Sequence, residues 1–282
     1  MNATNTVNKA LVPALFLHIQ KTAGTSIVSF AQATYGPSNV HSHGNYLDGY
    51  ITRGASLLET FRDCPEYRHF FSHENTIRRA GVVPFVSGHF GFDFASSLMK
   101  HRYSFTFLRD PVERILSFYY FCRSRDPSEY KIYQLTQEVS LNNFLKMGMK
   151  DPEVKNYIWN NQTWQLAYGY GNSTARCITK CSPDDILHRA VKHLDQFSDI
   201  GFAETFESDS SRILEAIGIK PPHAKIVSNQ TVGRPTKDDL SRATLAHLEQ
   251  LTQLDQALYD EAWKKNGSKL TRLKTMHLQA DS

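Results

Sequence analysis

At 282 residues, 40% of them hydrophobic, the chain is long enough to bury a full core and lacks the composition of a disordered or fibrous polypeptide. A formal charge of +4 is too mild to point to nucleic acid, so the placement of basic groups matters more than their total. Four cysteines, Cys64, Cys122, Cys177 and Cys181, are too few for a disulfide-stapled scaffold and read as mostly reduced thiols.

The chain reads as a single domain over 1–282, with polar, frayed tails at 1–10 and 266–282. Its first residues, Met1 to Lys9, are polar, and the apolar run that follows is too short to span a bilayer and has no basic flank. This predicts no signal peptide and no membrane anchor. Leu15 to Ile19 has the length of an interior strand, while Ile27, Val28, Phe30 and Ala31 follow Thr25 and Ser26 with helical periodicity. The turn between them suits an anion. Gly24 lets the backbone approach a ligand, the amides of the helix start point outward, and Lys21 adds a full positive charge. It is not a Walker A loop, which puts Lys after its last Gly and about four residues between its glycines; here Lys21 precedes the only Gly.

His18-Ile19-Gln20-Lys21-Thr22-Ala23-Gly24-Thr25-Ser26 instead resembles the 5′-phosphosulfate loop of sulfotransferases, most closely the heparan sulfate 2-O- and 6-O-sulfotransferase group and its bacterial relatives. The resemblance implies an α/β, P-loop-like three-layer fold with a central, mainly parallel sheet flanked by helices. It also implies 3′-phosphoadenosine-5′-phosphosulfate (PAPS) as donor, its 5′ end held by Lys21 and by Thr22, Ala23, Gly24, Thr25 and Ser26. Golgi members of the group carry an anchor, so a chain without one resembles a bacterial or cytosolic relative and implies a cytoplasmic protein.

Beyond the first helix, Gly36 to Gly54 reads as a polar surface loop, and its His41 and His43 lack the nearby carboxylate or Cys partners of a metal site. His69 and His73 have helical spacing without the Glu of a zinc protease. Val82 to Ser87 is a strand signal that ends at Gly88-His89, placing His89 at a strand's carboxyl end, where ligands collect in open α/β sheets. The residues leave it either a general base or a hydrogen-bonded loop histidine, and the resemblance implies the catalytic role. Tyr103 to Leu108 is the next strand, followed by Arg109-Asp110-Pro111 and a helix from Val112 to Phe121 with Asp110 as N-cap and Pro111 at the first helical position. Arg109 with Ser117 matches the family's 3′-phosphate site, and a guanidinium fork suits a dianionic phosphate. Arg114 either lines the same pocket or makes a salt bridge.

Pro127 to Gly169 is helical in period, and its Asn160 and Gln162 resemble an Asn-x-Gln segment near cofactor and acceptor in the family; the other reading makes them surface amides. Asn161 and Asn229 head glycan-acceptor patterns, both in segments assigned to the site, where a glycan would obstruct binding. Cys177 and Cys181 with His188 and His193 lie too close together for a zinc finger. A helix to Leu194, a strand from Asp199 to Glu204 and a helix from Phe206 to Ile217 continue the doubly wound alternation. Asn229, Thr231, Gly233 and Arg234 resemble the loop that folds over the 3′-phosphate and adenine side of the donor. Thr236 to Asp239 is then expected to cap a last helix with its stripe of Leu240, Leu248, Leu251, Leu254 and Leu258.

Together these readings predict sulfuryl transfer from PAPS to a hydroxyl acceptor, a glycan or small alcohol, with His89 taking the acceptor proton and Lys21 stabilising the leaving phosphate. No metal, nucleic-acid partner or integral membrane segment is expected. A small-molecule kinase would need a Walker-type Lys and a magnesium-binding carboxylate, neither of which can be placed. A noncatalytic module that binds adenosine 3′,5′-bisphosphate is the other alternative.

Overall fold

The computed structural model describes residues 10–42, 78, 80–168, 181–220 and 234–280. His43, His69, His73, Cys64, Cys177, Asn229, Thr231 and Gly233 lie outside the described residues. The central sheet consists of β1 (Ala14–Leu17), β2 (Val40–His41), β3 (Phe85–Gly88), β4 (Tyr103–Leu108) and β5 (Asp199–Phe202). Its order is β2-β3-β1-β4-β5 and every pairing is parallel.

The sheet is buried on both faces because its strands are apolar at successive positions. Leu15, Leu17, Val86, Leu108 and Phe202 point to one side, against α2 (Phe92–Met99), α7 (Asn161–Ala167), α8 (Pro183–Leu194) and α10 (Arg242–Ala280). Ala14, Phe16, Phe85, Phe105 and Phe107 point to the other, where α1 (Gly24–Tyr35) contributes Ile27 and Ala31 and α9 (Phe206–Ala216) contributes Phe206, Ile213 and Leu214. This is the three-layer α/β arrangement expected of the sequence. A third cluster joins α3 (Pro111–Arg123), α5 (Leu141–Lys150) and α6 (Pro152–Ile158) to Leu248 and Leu251 of α10, with α4 (Lys131–Glu138) completing the helical region.

β1 lies between β3 and β4, and the chain leaves β1 toward β2 and β3 but leaves β4 toward β5 on the opposite side. The loops after β1 and β4 therefore diverge and leave a crevice above their carboxyl ends, the switch point at which open parallel sheets bind ligands. The first carries Lys21 and the second Arg109.

Two expectations change. His41 is not in a polar loop: it is a residue of β2, paired in register with Val86 and 8% exposed. The capping box at Thr236 is real, since Thr236 N–H and Oγ1 both donate to Asp239 Oδ2, but it closes only a 3₁₀ turn over Lys237–Asp239. The long helix starts afterwards, with Ser241 Oγ accepting from Thr244 N–H at 3.2 Å. That helix is described to Ala280.

Candidate active site

The loop after β1 bends sharply. Lys21 and Ala23 have φ of 70° and 71°, in the left-handed region that costs a residue with a Cβ of order 1–3 kcal/mol, while Thr22 between them does not. Alternation of hand is the backbone geometry in which successive N–H groups can converge on an anion. Thr22 supports it from beneath: the residue is fully buried and its Oγ1 donates to Ile19 O at 2.9 Å. Its hydroxyl thus serves the loop. Gly24 is required for a reason the sequence did not reveal. A Cβ there would stand 2.3 Å from His18 Nε2 and 2.7 Å from Phe16 Cε1, so the glycine makes room for side chains beneath the loop. Thr25 is exposed and Ser26 half-buried on the first turn of α1, where backbone amides have no intrahelical acceptor.

Arg109 directly follows β4 beside this loop, and its Nη1 donates to Lys21 O at 3.1 Å. The two anchors thus share one crevice. Arg234 joins them across α3: its Nη1 donates to Glu113 O at 3.0 Å and its Nη2 pairs with the Glu113 carboxylate, which lies 3.9 Å from Arg109 Nη2. Lys237 Nζ pairs with Asp110 at 2.6 Å, so two ion pairs tie this segment to the start of α3. Asp110 also accepts from Glu113 N–H at 3.0 Å, the N-cap expected of it. Ser117, two turns further along α3, is 7% exposed.

Two residues that sequence reasoning missed complete the cationic rim. Lys21 Nζ stands 3.6 Å from the centroid of the Phe121 ring, and the Arg125 guanidinium 4.3 Å from the same centroid. Burial lowers the Lys21 ammonium from 10.5 to about 8, helped by the charges of Arg109, Arg125 and Arg234. Cys122 would oppose this as a thiolate, but burial pushes its thiol up to about 12, so it is neutral at neutral pH. Burial, then the Arg234 charge, likewise lower Arg109. Cations crowded until they disfavour one another's charge leave a strong demand for an anion.

His89 follows β3. Its Nδ1 lies 2.8 Å from His18 O, and its ring 4.4 Å from that of His18. A carbonyl can only accept, so Nδ1 carries the proton in the neutral ring and Nε2 keeps the lone pair of a base. Gln165, fully buried on α7, donates from Nε2 to His18 O at 3.2 Å and to Phe90 O at 2.8 Å, bracing the strand ends on either side of His89.

Asn160 and Gln162 are neither surface amides nor groups open to the crevice. Asn160 is 2% exposed; its Oδ1 accepts from Leu254 N–H and Asp255 N–H and its N–H donates to Leu251 O, so it is inserted into the hydrogen-bond ladder of α10. These bonds hold Asn160 against α10. Gln162 is fully buried and spends its amide on the Arg109 backbone, at 3.0 and 2.8 Å. Neighbouring Asn161 is 1% exposed, which leaves no room for a glycan. Arg114 also faces inward: it is fully buried, donates to Tyr157 O at 2.8 Å and lies within electrostatic reach of the buried Asp255.

Among the described residues no group of three or more His, Cys, Asp or Glu side chains is placed to hold a metal, and no helix is long and apolar enough to cross a membrane. A family model described as Sulfotransferase family matches residues 12–264, nearly the whole chain. No curated protein matches it significantly.

Proposed function

This chain belongs to the sulfotransferase family, and from that premise we propose that its donor is 3′-phosphoadenosine-5′-phosphosulfate and its acceptor a hydroxyl, on a carbohydrate or small alcohol. Sulfuryl transfer needs a site that holds a highly anionic donor, a base for the acceptor proton, and positive charge where the leaving phosphate develops. One observation carries the reading: the Arg109 guanidinium touches the Lys21 loop at the switch point of the sheet. Two cationic anchors in one crevice suit a ligand that is anionic at both ends.

The residues fit such a donor. The amides of the Lys21–Ser26 turn and the Lys21 ammonium hold its 5′ end; Arg109 and Arg234, with Ser117 behind them, hold its 3′-phosphate. The acceptor oxygen attacks sulfur as its O–H bond breaks, and His89 Nε2 takes the proton. The sulfur–oxygen bond to the phosphate breaks in the same transfer, its electron pair stays on the phosphate oxygen, and Lys21 moves from the Phe121 ring to meet that charge. Neutralising charge comes from side chains and helix-start amides. The acceptor's side of the site includes the aromatic and basic rim at Phe121 and Arg125, surfaces compatible with a sugar.

The test is transfer of radiolabelled sulfate from PAPS to a panel of sugars and small alcohols. Labelled product supports the reading; magnesium-dependent ATP turnover would favour a kinase instead, and bisphosphate binding without transfer to any hydroxyl would leave a binding module.

A further inference from the structure

Arg109 lies just past the last rung of β4. Pairing with β1 stops at Leu17 opposite Thr106, and on the other flank Ala203 N–H reaches only Leu108 O. The Arg109 peptide is nevertheless paired. Gln162, on the first turn of α7, accepts the Arg109 N–H on Oε1 at 3.0 Å and donates from Nε2 to the Arg109 carbonyl at 2.8 Å. One side-chain amide thus takes both backbone groups of one residue, as a neighbouring strand would.

The amide is itself anchored. Gln162 N–H donates to Asp255 Oδ2 at 3.3 Å, and Thr163 N–H and Oγ1 both donate to Asp255 Oδ1 at 2.7 Å. Asp255 is fully buried within α10. A chain of hydrogen bonds therefore runs from the core of α10 through the start of α7 to the backbone that carries the Arg109 guanidinium. The reach of Arg109 to Lys21 O, and its distance from Arg234, depend on where that backbone sits.

We propose that Gln162 is a positioning residue for Arg109: it fixes the guanidinium at the 3′-phosphate subsite from inside the protein and touches neither donor nor acceptor. This rests on reading Arg109 as the 3′ anchor. Small displacements of a positioned group have large effects, roughly a hundredfold for about 1 Å.

The experiment titrates the full chain calorimetrically with adenosine 3′,5′-bisphosphate and with adenosine 5′-monophosphate. Arg109→Ala, Gln162→Ala and the double variant are compared with Gln162→Met, which keeps the side chain's length and apolar packing but removes both hydrogen bonds. Both Gln162 variants should bind the bisphosphate about tenfold to a hundredfold more weakly while the monophosphate is nearly unaffected, and PAPS turnover should show the same loss in KM with kcat retained. The double variant should bind no worse than Arg109→Ala alone, because Gln162 acts only through Arg109. Equal losses for both nucleotides, additive losses in the double variant, or wild-type affinity in both Gln162 variants would each overturn the proposal. If the Arg109→Ala variant loses the preference for the 3′-phosphate and the Gln162 variants keep it, only the positioning role falls. A parent protein that does not distinguish the two nucleotides removes the 3′ assignment and this proposal together.

Discussion

Raising the pH should strip donor binding far earlier than an ordinary lysine would allow. Lys21 loses its proton near pH 8 in the empty site, because it is buried and faces Arg109, Arg125 and Arg234. It is fully charged well below pH 8, half charged at 8 and about one-tenth charged at 9. An anion binds the charged form and raises its pKa, so affinity is flat at pH 6.5–7, where the site is already protonated, and falls roughly tenfold per pH unit above 8 as each binding event takes up a proton. The other groups on the rim do not titrate there: the Cys122 thiol is pushed up to about 12 and guanidinium groups stay charged. Calorimetry with adenosine 3′,5′-bisphosphate in buffers of different ionisation enthalpy reads this directly, with proton uptake near zero at pH 7 and near one at pH 9. A Lys21→Arg variant keeps its charge and should lose the pH dependence. Affinity that stays level from pH 7 to 9.5 in the parent protein, or the same break in the arginine variant, would refute the reasoning.

Replacing His89 with Ala should lower kcat about a hundredfold to ten-thousandfold and leave bisphosphate affinity intact; turnover at the parental rate would remove its role. Gly24→Ala brings a Cβ within 2.3 Å of His18 and 2.7 Å of Phe16, so despite the better helix propensity of Ala it should cost about 1–3 kcal/mol in denaturant unfolding, and an unchanged midpoint would contradict the packing account. Asp255→Ala leaves the first amides of α7 without their buried acceptor, a loss of about 1–3 kcal/mol that a melting curve would register. Sulfate transfer should survive exhaustive treatment with a metal chelator, since every charge assigned to the donor comes from the chain; a loss restored by added magnesium would reject that assignment.

Where function depends on local chemistry, the sequence was easy to read. Tyr103 to Leu108, Asp110 and Pro111 announce a strand, a cap and a helix start by themselves, and the structure has β4 ending at Leu108 and α3 starting at Pro111. The strand, turn and helix around Lys21 were legible in the same way. What joins distant parts of the chain was not. Gln162 meets Arg109 across 53 residues and Asp255 across 93, and neither spacing leaves a periodic trace. Asp255 sits one position after Leu254 of the leucine stripe, yet it is fully buried, and nothing in the stripe's spacing singles it out. Phe121 and Arg125 become part of the site only because α3 ends beside a loop a hundred residues earlier in the chain. The Thr236 box failed as a helix signal for a simpler reason: a 3₁₀ turn satisfies the same bonds as a longer helix would.

The claim beneath all of this is that Lys21 and Arg109 grip opposite ends of a single nucleotide. Titrating the protein with adenosine 3′,5′-bisphosphate beside its 3′- and 5′-monophosphates tests it most directly. The account predicts one site per chain, with the bisphosphate bound at least tenfold more tightly than either monophosphate; a bisphosphate that binds no better than the monophosphates, or not at all, would contradict it.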